Sequence, residues 1–250
     1  MSANLILYSN PMSRGRIARW MLEEVGQPYD VHYKDFAALK EDAYLAINPM
    51  GKVPVLKHND AIVTECAAIC AYLAAAFPEA ALAPERGTPA HADYLRWLFF
   101  GAGPVEAAVS AKALGLLAPP ERAAMVGYGT FEDVMDGLEQ AVSGKAYIAG
   151  DRFSAADVYV GSQIGWGLQF GSIEDRPAFR AYWANLADRP ALKRAAELDD
   201  AAMPSSRSGR FTPPHRQHED TRSLDQIAPP QPPGFGQQPV QPFEARFLHP

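Results

Sequence analysis

The sequence has little cysteine and no long hydrophobic run. Cys66 and Cys70 are its only cysteines. Because they lie four positions apart on one predicted helix, we expect free thiols in a reducing cytoplasm rather than a structural disulfide. Near the amino terminus, the apolar run 5–8 has only four residues and no basic stretch before it. Neither a signal peptide nor a membrane span is therefore predicted.

Clustered positive charge is also missing. The formal net charge is −6, and the lysines and arginines form no patch, which argues against a nucleic-acid or membrane-surface binder. The chain has no phosphate-binding loop and no dinucleotide glycine fingerprint. Its six histidines are scattered without the spacing of a metal site, so no metal is expected.

The apolar content of 48% is enough for a real core, and the first 80 residues predict the order βαβαββα. A crossover helix makes the first two strands parallel, whereas a tight hairpin makes the last two antiparallel. The result is a mixed four-stranded sheet of the α/β class. Ser13 takes the cap position of the first helix, which Gly26 ends. The predicted elements are strand 5–8, helix 14–25, strand 29–33, short helix 36–46, strands 55–56 and 61–63, and helix 67–76.

After a linker rich in proline and glycine at residues 81–89, the pattern is helical. We interpret residues 1–80 as one domain and residues 90–200 as an all-helical domain. Ser154 and Asp157 have the spacing of a capping box, which indicates a folding role. The predicted helices are 90–117, kinked near 101–104, and then 120–142, 155–170, 177–186 and 190–198.

Residues 201–250 form a tail with ten of the 22 prolines and no lysine. Such a composition disfavours regular helix or sheet. The tail nevertheless carries eight spaced apolar residues, which fully solvated linkers rarely do. A tail that packs on the body and a flexible tail both remain open. The apolar residues are Phe211, Leu224, Ile227, Phe235, Val240, Phe243, Phe247 and Leu248.

The segment 48–67 carries the main functional signal. Pro54 has no N–H, so it must begin its strand, lie at an edge or introduce a bend. The hairpin that follows brings Glu65 and Cys66 to the start of an alanine-rich helix. Free N–H groups and the helix dipole hold anions at such a position. The segment thus predicts the floor of a pocket for a small ligand that carries a carboxylate.

This arrangement resembles the thioredoxin-like domain of the cytosolic glutathione transferases, in particular the bacterial, serine-type, theta-like members. The resemblance covers roughly residues 3–199 and implies that Pro54 is cis and that Val53 pairs its backbone with the cysteinyl part of glutathione. It implies that Glu65, as a buried or half-buried acid, and Cys66 bind the γ-glutamyl end. Cys66 departs from the usual serine, and a thiol is the weaker donor. For the glycine carboxylate of glutathione, the candidates are Lys52 and, second, Lys40.

Glutathione chemistry requires a thiolate, and a free thiol is only a few per cent ionised at neutral pH. In serine-type members the stabilising hydroxyl lies between the first strand and the first helix, where residues 13–24 match their pattern, so Ser13 is the candidate catalytic residue. Ser9 and Tyr8 are competitors, and Ser13 as a plain helix cap is the structural alternative. Arg14 or Arg16 either faces a ligand carboxylate or is solvated.

The second substrate is expected to bind between the two domains. The aromatic and apolar residues that are candidates to line this site could instead pack in the core. We therefore predict a glutathione transferase that attacks a small hydrophobic electrophile or reduces a hydroperoxide, as a homodimer. Two alternatives remain: a non-catalytic interaction module, and a glutathione-dependent isomerase or dehalogenase. The second-substrate candidates are Phe99, Phe100 and Val105, with Trp97 and Trp166 as further options.

Overall fold

The computed structural model describes residues 4–203, which begin with a four-stranded sheet in the order β2-β1-β3-β4. β1 and β2 are parallel, and the β1–β3 and β3–β4 pairs are antiparallel. The mixed sheet is therefore confirmed. Its elements are β1 Leu5–Ser9, α1 Gly15–Val25, β2 Asp30–Tyr33, a 3-10 turn Ala37–Lys40, α2 Asp42–Leu45, β3 Val55–His58, β4 Ala61–Val63 and α3 Cys66–Ala76.

Helix α1 packs one face against the sheet and the other against helices of the second half. Its residues Ile17, Met21 and Leu22 are buried, as their spacing of three and four predicts. Gly26 ends the helix with φ 72° and donates its N–H to the Leu22 carbonyl. Ser13 is not the cap: that position belongs to Arg14, one residue further along the chain.

The second half is a helical domain that follows a 3-10 turn, Pro78–Ala80. The boundaries near residues 80 and 90 stay a prediction. Within the described residues, no helix combines the length and apolar character needed to cross a membrane. The elements are α4 Pro89–Phe100, a π-turn Gly101–Val105, α5 Glu106–Ala113, a 3-10 turn Pro120–Met125, α6 Phe131–Val142, α7 Ala155–Phe170, α8 Pro177–Ala187 and α9 Pro190–Ala201.

Two helix predictions in this half need correction. The helix predicted over 90–117 ends at Ala113. Pro104 lies in the short π-helical segment that joins α4 to α5. The helix predicted over 120–142 begins only at Phe131. Gly129, with φ 66°, separates it from the 3-10 turn, and Thr130 then caps α6 through a capping box with Asp133.

The start of α7 is held by a buried carboxylate. Asp157 is fully buried and accepts hydrogen bonds from the Ile148 N–H at 2.8 Å, the Ser154 N–H and hydroxyl at 2.9 Å each, and the Tyr182 hydroxyl at 2.7 Å. Burial raises the pKa of Asp157, while these hydrogen bonds lower it. This network supports the folding role inferred for Ser154 and Asp157.

Buried polar contacts tie the two halves together along α1. Arg19 and Asp199 are both buried, with 2.8 Å between Nε and Oδ1, and the Arg19 guanidinium also donates to the Tyr33 hydroxyl at 2.7 Å. This ion pair anchors the end of α9 on α1. The tail after residue 203 lies outside the described residues, so the prediction that it packs on the body is not tested.

Candidate functional site

The loop between β1 and α1 holds Ser13 half-buried and well fixed. The Ser13 hydroxyl donates to the Asn10 carbonyl at 2.7 Å and accepts from the Gly15 N–H at 3.0 Å. Asn10 is itself held, because its side-chain amide donates to the Lys34 carbonyl at 2.8 Å and accepts from the Met12 N–H at 2.9 Å. Ser13 is therefore a preorganised hydroxyl at the leading end of α1.

The two competing hydroxyls have other surroundings. Ser9 is fully buried, and a Cβ added to Gly15 would come within 1.9 Å of the Ser9 Oγ. Tyr8 lies in a small core cluster with Leu39, Tyr44 and Val55. Neither residue lines the recess described below, so the geometry favours Ser13 among the three candidates.

The Val53–Pro54 peptide is cis, as the resemblance implied. The preceding Lys52 carbonyl is fixed by hydrogen bonds from the Tyr44 hydroxyl and the Asn48 side-chain amide, each at 2.8 Å. The β3 ladder begins at Val55, which pairs with Tyr8, so Val53 lies beyond the ladder, near the loop that carries Ser13. The backbone of Val53 thus precedes β3, an inner strand of the sheet, and takes no part in its ladder.

Two lysines were candidates for a ligand carboxylate, and their surroundings differ. Lys40 Nζ donates to the Met50 carbonyl at 2.9 Å, so it already supports the loop before Pro54. Gly51 in this loop has φ 58°, and a Cβ there would come within 2.5 Å of the Leu39 carbonyl oxygen, which explains why a glycine is required. The side chains of Lys40 and Lys52 are both exposed, so what distinguishes Lys40 is its bond to the Met50 carbonyl.

Glu65 caps α3 with an unusual backbone. Its dihedral angles are φ 63° and ψ 119°, a conformation that costs a non-glycine residue about 1–3 kcal/mol and that clusters at ligand sites. The first hydrogen bond of α3 runs from the Ile69 N–H to the Glu65 carbonyl at 2.9 Å, so three N–H groups precede it. The Glu65 side chain is exposed, not buried or half-buried as expected.

The Cys66 side chain at the start of α3 points to the start of α1 and not to solvent. Its thiol is buried and donates to the Arg14 carbonyl at 3.6 Å. One turn further along α3, contact with Cys66 and burial raise the pKa of the Cys70 thiol well above its usual range. The Cys66 contact thus links the N-terminal end of α3 to the N-terminal end of α1.

A recess of about 650 Å³ opens beside Ser13 between the sheet half and the helical half. Arg14 and Arg16, on its rim, form ion pairs with Glu106 and Asp200 respectively. Aromatic side chains of α7 and the end of α9 complete its wall. The lining residues are Pro11, Met12, Ser13, Arg14, Arg16, Trp166, Gln169, Phe170, Asp200 and Met203.

The predicted second-substrate residues do not line this recess, with the exception of the further option Trp166. Val105 is only 1% exposed and belongs to the core. Phe100 packs edge-on against Trp97, with 5.4 Å between ring centroids, and Phe99 is exposed on α4. A Trp-Leu-Phe-Phe run on a helix distributes its rings around the axis, so sequence order alone did not reveal which face meets Ser13.

Sequence reasoning missed Gln169, Phe170, Asp200 and Met203. The signal available was weak: Trp166, Gln169 and Phe170 recur at helical spacing on α7, but nothing local relates that face to the first loop. Across the described range, no group of three or more histidine, cysteine, aspartate or glutamate side chains is arranged to hold a metal ion.

Known proteins resemble this chain along most of its described length. Family models for the glutathione S-transferase N-terminal and C-terminal domains match residues 3–75 and 110–190. Glutathione S-transferase 1 of Zea mays is 29% identical over 193 residues, which cover 71% of this chain and 88% of that protein.

Solved structures agree with the sequence relatives. A glutathione transferase from Methylococcus capsulatus str. Bath is 27% identical, with a TM-score of 0.65, over 79% of this chain and 99% of that chain. A sphingomonad glutathione S-transferase, complexed with glutathione, is 29% identical, with a TM-score of 0.62, over 78% and 98%. The two family models together match more than half of the residues.

Proposed function

This chain belongs to the glutathione S-transferase family and is a glutathione transferase, and we propose that Ser13 activates the glutathione thiol. A free thiol has a pKa of about 8.5. A hydrogen bond from a hydroxyl to an ionised acceptor contributes about 1.5–3 kcal/mol, which corresponds to one to two pKa units. The N-terminal end of α1 adds a favourable partial charge.

One observation carries this proposal: the Cys66 thiol contacts the Arg14 carbonyl at 3.6 Å, so the first loop meets the start of α3. A tripeptide bound with its γ-glutamyl carboxylate at the free N–H groups of α3 has its α-amino group near Glu65. Its cysteinyl backbone then lies along Val53, and its sulfur points toward Ser13. The strained backbone of Glu65 supports a ligand role for that residue.

The remaining glutathione contacts follow from the same pose. We assign the glycine carboxylate to the exposed Lys52 in preference to Lys40, whose ammonium already donates to the Met50 carbonyl. Cys66 contributes mainly through its backbone N–H, because its thiol is directed at Arg14. The Val53–Pro54 turn supplies the strand-like edge for the cysteinyl residue.

The reaction needs no covalent enzyme intermediate. The glutathione sulfur forms a bond to the electrophilic carbon, and the leaving group departs with the bonding electron pair. Alignment of the two substrates in the interdomain recess supplies the rest of the acceleration. Two measurements test this function: the steady-state rate of glutathione conjugation with an activated aryl chloride, and binding of the protein to immobilised glutathione. Binding without turnover of the chloride or a hydroperoxide would instead favour a non-catalytic module, and absence of both would contradict the proposal.

We also propose a homodimer built on the outer face of α4. Leu95 and Phe99 lie one turn apart on this helix with 39% and 74% of their surface exposed, and Ile62 is 44% exposed on β4, at the edge of the sheet. Burying such an apolar face against a second copy is favourable by roughly 25 cal/mol per Å².

Phe99→Glu is expected to convert the dimer to a monomer at micromolar concentration, because a carboxylate cannot be buried unpaired at low cost. Sedimentation equilibrium measures the change. Phe170→Glu is the matched control, since Phe170 is 72% exposed but lies at the recess and should leave the assembly unchanged. A parent protein that sediments as a monomer would refute the proposal.

The state of the two cysteines indicates in which cellular compartment the protein works. Both are free and buried, one turn apart on α3. Free thiols are characteristic of a reducing compartment, which supports the proposed cytoplasmic location.

A further inference from the structure

We propose that the second substrate of this enzyme is an aromatic electrophile that carries a carboxylate, bound with its ring against Trp166 and Phe170 and its carboxylate on Arg16. This inference rests on the proposed function and specifies the substrate class of the same recess. It replaces the purely hydrophobic electrophile that the sequence predicted.

The recess has two chemically different sides. Trp166 and Phe170 of α7 present aromatic surface, which favours a planar apolar ring by stacking. Arg14 and Arg16 from the first loop and α1 place two cations on the rim, against the single carboxylate of Asp200 among the lining residues. A wholly apolar substrate would leave the charged side unused, whereas an aromatic carboxylate matches both sides.

Arg16 is held in position to receive a carboxylate. Its Nε–H donates to the Pro11 carbonyl at 2.7 Å, which fixes the guanidinium plane on the rim, and 28% of the side chain is exposed. A guanidinium has five N–H donors in a planar fork. Arg16 lines the recess, and among the described residues its side-chain hydrogen bonds use Nε and Nη2.

The present partner of Arg16 is easy to exchange. Asp200 has 67% of its side chain exposed, and an exposed ion pair contributes little to stability because water and salt screen it. A substrate carboxylate bound in a bidentate fashion forms the stronger type of charge-assisted pair. Arg14 is engaged differently: its partner Glu106 also accepts a hydrogen bond from Gln163 at 3.0 Å, so that carboxylate is anchored. A substrate carboxylate therefore displaces a weaker partner at Arg16 than it would at Arg14.

The test compares two aryl chlorides that differ in one group: a chlorodinitrobenzoate with chlorine para to the carboxylate, and its neutral carboxamide. In both, the glutathione sulfur bonds to the ring carbon and chloride leaves with the bonding pair. Each kcat/KM is divided by the uncatalysed rate with glutathione, which removes intrinsic reactivity. We expect the normalised preference for the carboxylate to be about tenfold, equivalent to about 1.4 kcal/mol.

Two variants should move this preference in opposite directions. Arg16→Gln is expected to reduce the ratio to about one, and Asp200→Asn to raise it by about threefold, because the guanidinium loses its competitor. Arg180→Gln is the matched control: Arg180 also forms an exposed ion pair, with Asp175 at 2.8 Å, so it changes the net charge equally outside the recess. The control should leave the ratio at the parent value.

The outcomes separate the two proposals. Turnover of both chlorides without a preference for the carboxylate, or a preference that survives Arg16→Gln, would overturn this inference alone. Failure of the parent enzyme to turn over either chloride would overturn the proposed function and this inference with it. A preference that Arg16→Gln abolishes and Asp200→Asn strengthens would establish the substrate class.

Discussion

Ser13→Ala should lower kcat/KM for glutathione conjugation roughly 10- to 100-fold and raise the pKa of bound glutathione by about one to two units, because a hydroxyl bond to a thiolate contributes about 1.5–3 kcal/mol. The Ser13 oxygen accepts from the Gly15 N–H at 3.0 Å, which polarises the hydroxyl and strengthens it as a donor. We expect this hydroxyl to exchange its bond to the Asn10 carbonyl for a bond to the sulfur when glutathione binds. The thiolate absorbance of the binary complex, titrated with pH, measures the pKa directly.

Two variants control for the loss of loop structure. Ser13→Thr retains the hydroxyl and should keep most of the activity. Ser9→Ala removes the neighbouring buried hydroxyl, which does not line the recess, and should leave the thiol pKa unchanged. A thiol pKa that stays the same in Ser13→Ala but rises in Ser9→Ala would move the catalytic assignment to Ser9.

Asp157→Ala should destabilise the protein by about 3–5 kcal/mol, the usual cost of removing one partner from a buried charged network. Four donors lose their acceptor: the Ile148 N–H, both donors of Ser154 and the Tyr182 hydroxyl. Burial disfavours the ionised carboxylate of Asp157 and raises its pKa. Removing that carboxylate therefore offsets part of the cost. For a domain of this size, we expect a fall in Tm of roughly 10 °C or more, measured by calorimetry.

The structure contains its own control for this variant. Asp133 completes a capping box with Thr130 on α6, as Asp157 does with Ser154 on α7, but Asp133 is exposed. Asp133→Ala should therefore cost only about 1 kcal/mol. If the two variants melted at the same temperature, the network around Asp157 would be no more than a helix cap.

Much of the architecture was predictable because its signals are local. The crossover helix and the hairpin composition predicted the mixed sheet, and Pro54 immediately precedes β3. Gly26 predicted the end of α1. The errors were local as well: Ser13 precedes the cap of α1, and the helix predicted from residue 120 starts at Phe131, since Gly129 and Thr130 interrupt it.

The proposed glutathione contacts could be named from the sequence for the same reason. Val53, Pro54 and Glu65 lie within thirteen positions of one another, so one resemblance covers them all. The positive φ of Glu65 and the inward direction of the Cys66 thiol were not predicted. Both depend on how the start of α3 meets the start of α1.

The other wall of the recess depends on long-range packing. Arg16 and Asp200 are 184 positions apart, and they meet because the buried pair of Arg19 and Asp199 anchors α9 on α1. Helical periodicity tells which residues share a face, but not which neighbouring helix that face will contact. The chain order alone is thus enough to predict the sheet and the residues proposed to bind glutathione, whereas helix packing decides which residues line the recess.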